Sequence, residues 1–305
     1  MNIQNAQLVS IFFNVIAPVF ALVIIGRLAG PRLGLEARTM SRAAYYLFVP
    51  AFIFSTLSQA TIDAALAVRM ISYTTVVHIS VALIGFLIAK ALGKSAKMVG
   101  AYTLIAVFGN VGNFGFPLIE FHLGEKAVEL ATIYFLAIIL ISFVISVMAA
   151  NWHKGGSLTA VLEVFKTPAL IAAVPAIFLN WFNIPIPIMV DRITGLLAQA
   201  MVPIMLIALG VQLASTKSLK IDTDTLIASG IRLIISPALA FILVGFFRLD
   251  GLARGAGIMQ AAMPAAVLTS IIALEYDLLP DFVTRTVLFS TLASVVTLTL
   301  ILAVV

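Results

Sequence analysis

The sequence contains no cysteine, which excludes disulfide bonds, thiolate catalysis and cysteine-ligated metal sites. Charged residues are also scarce: they make up 10% of the 305 residues, against about a quarter in a typical soluble domain. Hydrophobic residues make up 62%, and the mean hydropathy is +1.17. This composition excludes an ordinary soluble domain and predicts an all-α polytopic membrane protein.

Ten apolar stretches are long enough to be membrane spans, and we number them in chain order. They are predicted at residues 8–26, 38–58, 70–90, 100–122, 128–150, 168–183, 192–214, 225–247, 254–274 and 282–304. No basic residue precedes the first stretch, so we expect no cleavable signal peptide. The basic residues lie mostly in short loops between spans, so the net charge of +5 indicates membrane topology and not a nucleic-acid partner.

The distribution of lysine and arginine predicts the orientation. Loops that follow odd-numbered spans contain twelve of these residues, whereas the opposite side contains five. Cytoplasmic loops carry the excess of basic residues. We therefore expect a plasma (inner) membrane protein with both termini outside the cell.

Prolines recur at a nearly constant offset, which predicts an internal repeat. The pairs are Pro18 with Pro168, Pro50 with Pro203, and Pro117 with Pro264, although Pro175 fits the first pair as well as Pro168 does. The alternative is that prolines are simply common in membrane helices. A repeat divides the chain into a first half (1–150), a short cytoplasmic linker (151–167) and a second half (168–305). Five spans in each half would insert the second half upside down.

The segment Gly109–Leu118, which reads Gly-Asn-Val-Gly-Asn-Phe-Gly-Phe-Pro-Leu, interrupts span four. Span nine is interrupted at Met263-Pro264. Unpaired backbone in hydrocarbon costs several kcal/mol, so such a break must line a protein cavity. Broken helices at matching positions of two inverted halves are typical of the substrate site of a secondary transporter.

We expect the two breaks to cross as an X near the middle of the membrane. Pro117 and Pro264 each suit the first turn of a new half-helix, where the missing N–H costs nothing. The start of a helix carries free N–H groups and a partial positive charge. Two such ends converging on one pocket would bind an anion without a charged side chain.

Neutral side chains would complete this anion site. Asn110 and Asn113 offer amide donors, and Gly112 and Gly115 let a substrate approach the backbone. On span nine, Gln260 lies one turn before Pro264 and is the matching candidate. We therefore take these residues, together with the two prolines, as the predicted substrate site.

These stretches carry a family resemblance. They are Val49–Ser58, Gly109–Leu118, Pro203–Ala214, Met263–Ala266 and Leu288–Ser294, and in this order they extend over nearly the whole chain. The sequence resembles a bacterial-type member of the auxin efflux carrier (PIN-like) family, which includes transporters assigned to malate and malonate. The long cytoplasmic loop of plant members is missing, so regulation by loop phosphorylation is not expected.

The resemblance implies ten helices in the crossover fold shared with bile-acid transporters and sodium/proton antiporters. It implies a scaffold of spans 1, 2, 6 and 7, a moving core of spans 3–5 and 8–10, and a homodimer through the scaffold. The implied function is elevator-type transport of a small carboxylate such as malate, malonate or an auxin-like acid. The alternatives are a sodium-coupled symporter of the bile-acid type and an anion channel.

Three ionisable residues are candidates for coupling. His78 lies within span three and titrates near neutral pH, although a neutral histidine bonded to a hydroxyl is an equal alternative. Arg232 would either extend to the membrane interface or neutralise a substrate carboxylate. Glu120 would bind a cation beside the crossing or stay solvated. We expect proton-linked transport in preference to sodium-linked transport. The predicted spans contain no pair of aspartates near the middle of the membrane, which argues against a cation/proton antiporter.

Other classes of function fit less well. The close acid pair Asp222 and Asp224 has no histidine or basic cluster beside it, and no zinc or P-loop motif occurs. We therefore expect neither an enzyme nor a protein that holds a metal or cofactor. A sensor would need a soluble domain, which the sequence does not have room for. A channel is harder to separate, because broken helices also line pores.

Overall fold

A computed structural model describes residues 3–151, 163–215 and 221–305, and these residues are helical almost throughout. The α-helices are α1 (Ile3–Ile11), α2 (Ala17–Arg32), α3 (Ala37–Ala43), α4 (Val49–Ser58), α5 (Ala64–Ala91), α6 (Ala96–Val107), α7 (Phe116–Leu123), α8 (Glu125–Asn151), α9 (Pro168–Trp181), α10 (Ile188–Ser215), α11 (Thr223–Gly230), α12 (Ser236–Val244), α13 (Gly251–Ala261), α14 (Val267–Glu275) and α15 (Pro280–Leu302). No β-strand occurs in the described ranges.

Short π-helical turns precede four of these helices, and three of the turns join one α-helix directly to the next. They are π1 (Phe12–Ile16), π2 (Ala44–Phe48), π3 (Val111–Gly115) and π4 (Ile231–Ile235). Each is followed, two residues later, by a proline: Pro18, Pro50, Pro117 or Pro237. Proline cannot donate to the carbonyl four residues earlier and clashes with it, and the wider π turn makes room for its ring. The helices therefore continue through these prolines.

Helical segments occupy each of the ten predicted ranges, but the number of membrane crossings stays a prediction. Within the described residues, five helical stretches are long and apolar enough to cross a bilayer on their own: Ala6–Arg32, Ala64–Ala91, Ile188–Ala214, Thr223–Val244 and Pro280–Leu302. Most of the predicted linker, residues 152–162, lies outside the described residues, as do Lys217 and Lys220. The protein is thus helical and membrane-embedded.

The helices pack as two groups. In the first, α2 packs along α10, and α4 packs against both α9 and α10. The Asn180 side chain of α9 donates to the backbone carbonyls of Ser58 and Ala60, at 3.1 and 2.8 Å. In the second group, α5, α6 and α8 pack together, α13 lies on α8, and α11 and α14 lie on α15.

Glycine allows the closest contact in the first group. A Cβ atom on Gly26 of α2 would lie 2.2 Å from the Ile207 carbonyl oxygen of α10, and one on Gly210 would lie 2.0 Å from the Val23 carbonyl oxygen. Lipid tails are as apolar as leucine, so membrane helices associate by close packing of small residues and not by the hydrophobic effect. These two glycines therefore hold α2 and α10 together.

Ion pairs connect helices of the second group at their ends. Lys94 pairs with Asp224 at 2.7 Å, and Arg285 pairs with Asp222 at 3.2 Å. Lys97 pairs with Asp277, and the Tyr102 hydroxyl donates to the Asp224 carboxylate at 2.7 Å. These contacts tie α6 to α11 and α11 to α15, so the second group is cross-linked within itself.

Replacing Gly210 by alanine should separate α2 from α10, because its methyl group would meet backbone that cannot move independently. Overpacking of this kind costs at least about 1–3 kcal/mol, so the melting temperature of the purified protein should fall. Gly195→Ala is the matched control, because it lies on the same helix and its added methyl group would meet open space. Equal melting temperatures for the two variants would contradict the proposed contact.

Candidate functional site

The two helix breaks meet and pair with each other. Helix α6 ends at Val107 and α13 ends at Ala261, and an isolated antiparallel bridge joins Gly109 to Ala265 beyond these ends. The Asn110 N–H donates to the Pro264 carbonyl at 2.7 Å, and the Ala266 N–H donates to the Phe108 carbonyl at 2.9 Å. Each broken segment therefore supplies the hydrogen bonds that the other has lost.

Helical backbone resumes beyond the crossing on both segments. On the first, Asn110 is the N-cap of π3, and its carbonyl accepts from the N–H groups of Phe114 and Gly115, at 3.1 and 3.2 Å. Pro117 lies in the first turn of α7, which continues π3. On the second, Ala266 is the N-cap of α14. Two helix N-termini thus begin within a few residues of the paired segments, and the N–H groups of each first turn have no acceptor within their helix.

The predicted position of Pro264 in the first turn of a half-helix is wrong. This proline lies in the non-helical segment between Ala261 and Val267, so it is not in the first turn of a half-helix. Its ring suits extended backbone and has no N–H to leave unpaired there. The carbonyl of Pro264 accepts from Asn110, and the next N–H, that of Ala265, donates to the Ser290 hydroxyl at 3.2 Å. Pro264 therefore supports the crossing through its backbone.

Arg232 binds the C-terminal ends of the two broken helices, which carry the partial negative charge. Its Nε donates to the Met263 carbonyl at 2.8 Å, Nη1 to the Ala106 carbonyl at 3.0 Å, and Nη2 to the Ala261 carbonyl at 3.2 Å. These acceptors lie at or just beyond the C-terminal ends of α6 and α13. The expected extension to the membrane interface is wrong, because the side chain is fully buried. A role in neutralising a substrate carboxylate stays a prediction.

The amide side chains predicted for the site lie at the crossing, and two of them have unpartnered atoms. Asn110 is buried with no partner for Nδ2, and Asn113 is partly exposed. Gln260 is fully buried: its Nε2 donates to the Ala131 carbonyl at 3.4 Å, and its Oε1 has no partner. Buried polar atoms usually have a partner, so unpartnered ones mark a place where a ligand or water would bind.

Glycine at position 115 is what lets Gln260 approach the first broken segment. A Cβ atom at this position would lie 2.0 Å from Gln260 Oε1. At Gly112 the nearest atom to an added Cβ is on the Phe135 ring, at 3.2 Å, a milder restriction. The structure thus brings together Asn110, Gly115 and Gln260, which the sequence analysis placed in one site.

Two hydroxyl groups at the crossing were missed by the sequence analysis. Thr269 and Ser270 lie in the first turn and a half of α14, and the oxygen atom of each side chain is buried without a partner. Asn113 lies three residues after the N-cap Asn110, and Thr269 lies three residues after the N-cap Ala266, so a polar residue in the first turn after each interruption was the available signal. Hydroxyl donors therefore accompany the second helix N-terminus as amides accompany the first.

His78 and Glu120 lie in very different surroundings. The His78 ring is fully buried, and its Nε2 shares a hydrogen bond of 2.7 Å with the Tyr134 hydroxyl of α8. Glu120 is exposed on α7, outside the buried cluster around the crossing. Within the described part of the chain, no group of three or more His, Asp or Glu side chains is placed to hold a metal ion.

The arrangement suits an anion. Two helix N-termini, the amides of Asn110 and Asn113 and two hydroxyls supply donors, and Arg232 already occupies carbonyls at the ends of α6 and α13. The free atom of Gln260 is its Oε1, an acceptor, so Gln260 does not supply the donor that the sequence analysis expected. The cavity of about 510 Å³ beside α9, lined by residues such as Leu170 and Val174, is apolar and shares no residue with the crossing. It does not suit a charged substrate.

Comparison with known proteins gives consistent matches along the chain. Residues 11–160 and 156–302 each match the family described as membrane transport protein. An uncharacterized transporter of Methanocaldococcus jannaschii is 25% identical over 94% of this chain and 96% of its own. One from Methanothermobacter thermautotrophicus is 26% identical over 87% and 88%. A candidate malonate transporter of Rhizobium meliloti is 25% identical over 94% and 93%.

The contact between Gly115 and Gln260 can be tested with a double-mutant cycle. Gly115→Ala should lower the melting temperature, because the new methyl group overlaps Gln260 Oε1. Adding Gln260→Ala removes the overlap, so the double variant should be more stable than the sum of the single effects predicts. Strictly additive melting temperatures would show that the two side chains do not meet.

Proposed function

Because the chain belongs to the membrane transport protein family, which is the family of the auxin efflux (PIN-like) carriers, we propose that it is a secondary transporter of a small organic anion. The observation that carries the proposal is the pair of helix N-termini at the crossing, with unpartnered donors beside them. The start of a helix carries about half a positive charge, so two of them attract one negative charge.

A carboxylate is the anion that this set of donors suits best. Carboxylate oxygens accept hydrogen bonds from backbone N–H groups, amide Nδ2 atoms and hydroxyls, all of which occur here. The candidate malonate transporter of Rhizobium meliloti supports a small dicarboxylic acid as the first substrate to test. Asn113 is partly exposed, so it would donate to a carboxylate approaching from outside the buried cluster.

The proposed architecture is two inverted repeats of five spans, with spans four and nine broken and crossed. The two family matches, one per half of the chain, support the repeat. We assign α1–α4, α9 and α10 to a scaffold and α5–α8 and α11–α15 to a core that moves as one body. The ion pairs within the second group support a rigid core.

Elevator-type motion of that core needs a contact surface that can slide. At the crossing, the two groups meet through aromatic rings: Phe20 contacts Phe114 at 5.2 Å between ring centres, and Phe52 contacts Phe116 at 4.7 Å. Apolar contacts have little directional preference, so a shift along this surface breaks few specific bonds. A homodimer formed through the scaffold would hold that half still while the core moves.

The basic loops support an inner-membrane protein with both termini outside. Because the chain has no cysteine, single cysteines introduced at residue 2 and residue 304 would report this orientation directly. An impermeant thiol reagent added to whole cells should label both. Protection of both would reverse the proposed orientation.

Asn113→Ala should weaken anion binding strongly, because it removes a donor from a site that holds little net charge. A hydrogen bond to a charged group is worth about 1.5–3 kcal/mol, so affinity should fall roughly ten- to a hundredfold. Asn110→Ala should act in the same direction but less. Binding is measured as the rise in melting temperature with malonate or malate, since a ligand of the folded state stabilises it by mass action.

Asn14→Ala is the matched control, because this exposed asparagine of π1 donates its amide to the Ser10 hydroxyl on the preceding turn of the same helix. It should bind like wild type. Wild-type affinity in both Asn110 and Asn113 variants would place the anion site elsewhere. Saturable uptake and counterflow in proteoliposomes distinguish a carrier from a channel, and a non-saturating flux would favour the channel.

We further propose that transport is linked to protons through His78. A charged imidazole is costly where the His78 ring is fully buried, and an anion at the crossing would offset part of that cost. Anion binding and protonation of His78 would then favour each other. The Tyr134 hydroxyl shares the hydrogen bond with this ring, and the Tyr134 ring centre lies 6.4 Å from that of Tyr73.

His78→Gln should keep a hydrogen bond to Tyr134 and remove the titration. Uptake by wild-type protein should rise as the pH falls below neutral, and the variant should show a flat profile. Tyr134→Phe is the control: it removes the hydrogen bond but leaves the imidazole, so some pH dependence should remain. An unchanged profile in the His78 variant would leave uniport as the better interpretation.

A further inference from the structure

Arg232 is a buried cation without a carboxylate partner in the described part of the chain. Its three hydrogen bonds go to backbone carbonyls, contributed by two separate broken helices. Moving an unpaired charge out of water costs several kcal/mol, so the surroundings must supply negative charge in another form. That charge is available at the ends of α6 and α13.

The charges balance at this point. Each helix C-terminus carries about half a negative charge, so two of them supply roughly one unit, which one guanidinium neutralises. The planar fork of the guanidinium can reach several carbonyls at once, which an ammonium group on a flexible stem cannot do as well. The Ser236 hydroxyl adds a further donor to the Ala261 carbonyl, at 2.7 Å.

The backbone around Arg232 is shaped to receive it. A Cβ atom on Gly109 would lie 2.2 Å from Nη2, so only glycine at this position leaves room for the guanidinium. The same glycine forms the bridge to Ala265. The crossing and the cation therefore fit together as one unit.

We propose that Arg232 is a built-in cation that takes the place a bound metal cation would occupy at the carbonyl ends of the crossed helices, so that the protein folds and transports without sodium. Carbonyl oxygens at broken helices are ligands that suit sodium, and here the guanidinium occupies them. Transport without sodium rests on the proposed function, whereas folding without sodium does not.

The first experiment uses the wild-type protein. Its melting temperature and its uptake of malonate at fixed pH are measured in sodium chloride and in choline chloride of equal concentration. Both should be the same in the two salts. A drop in melting temperature, or a collapse of uptake, in choline chloride would overturn the proposal.

The second experiment removes the cation and supplies it from solution. Arg232→Ala should lower the melting temperature by roughly 10 °C, because the carbonyl ends are left without a counter-charge. Millimolar guanidinium should restore part of the loss, and urea, which has the same shape and no charge, should not. Arg38→Ala, which removes an exposed arginine, should change neither the melting temperature nor the response to guanidinium.

Arg232→Lys keeps the charge and loses the fork, so it should fall between wild type and the alanine variant. If the alanine variant does not fold, the lysine variant and the comparison of salts with the wild-type protein still test whether Arg232 serves as the built-in cation. Wild-type stability in Arg232→Ala, or equal rescue by urea and guanidinium, would contradict a role for the charge. Absence of uptake for every organic acid tested, together with rescue by guanidinium, would reject the proposed function and leave the built-in cation standing.

Discussion

The rest of the structure depends on how two broken helices satisfy their backbone inside a membrane. Water is not available there, so each N–H and carbonyl released by a break needs a protein partner. The pairing of Asn110 with Pro264 and of Phe108 with Ala266 provides four of these partners at once. Arg232 provides donors for three more carbonyls. Among the described residues at the crossing, the groups left unpaired are mainly donors at the two new helix starts, together with one acceptor, Gln260 Oε1.

That asymmetry gives the site its charge. The negative helix ends have a permanent counter-charge and the positive ends do not, so the empty crossing carries an excess of positive potential. The packing of the surrounding helices holds these helix ends in position. Ion pairs tie the second group together at its ends, while glycines let α2 and α10 of the first group touch through their backbones. Rigidity within each group, and smooth aromatic contact between them, are compatible with relative motion.

The sequence was sufficient for the helical class, the family and the location of both breaks. The glycines and asparagines of Gly109–Leu118 have no place in a regular lipid-facing helix, which is a strong local signal. The sequence was insufficient where the outcome depended on contacts between distant segments. Pro264 became part of an extended pairing partner, and Arg232 was drawn inward by carbonyls that lie about 30 residues beyond it and about 126 residues before it. Thr269 and Ser270 looked like ordinary helix residues until α14 was seen to begin just before them.

The π turns set the rotation of the helices that follow them. Each turn contains one more residue than an α-helical turn would, and one residue corresponds to about 100° of rotation around a helix axis. In π3 this extra residue decides which face of α7 is turned toward the protein: Leu118 and Ile119 are buried, and Glu120 and Phe121 are exposed. Because Pro117 fixes the position of π3, the turn cannot slide along the chain. The position of the proline therefore determines the orientation of the whole half-helix.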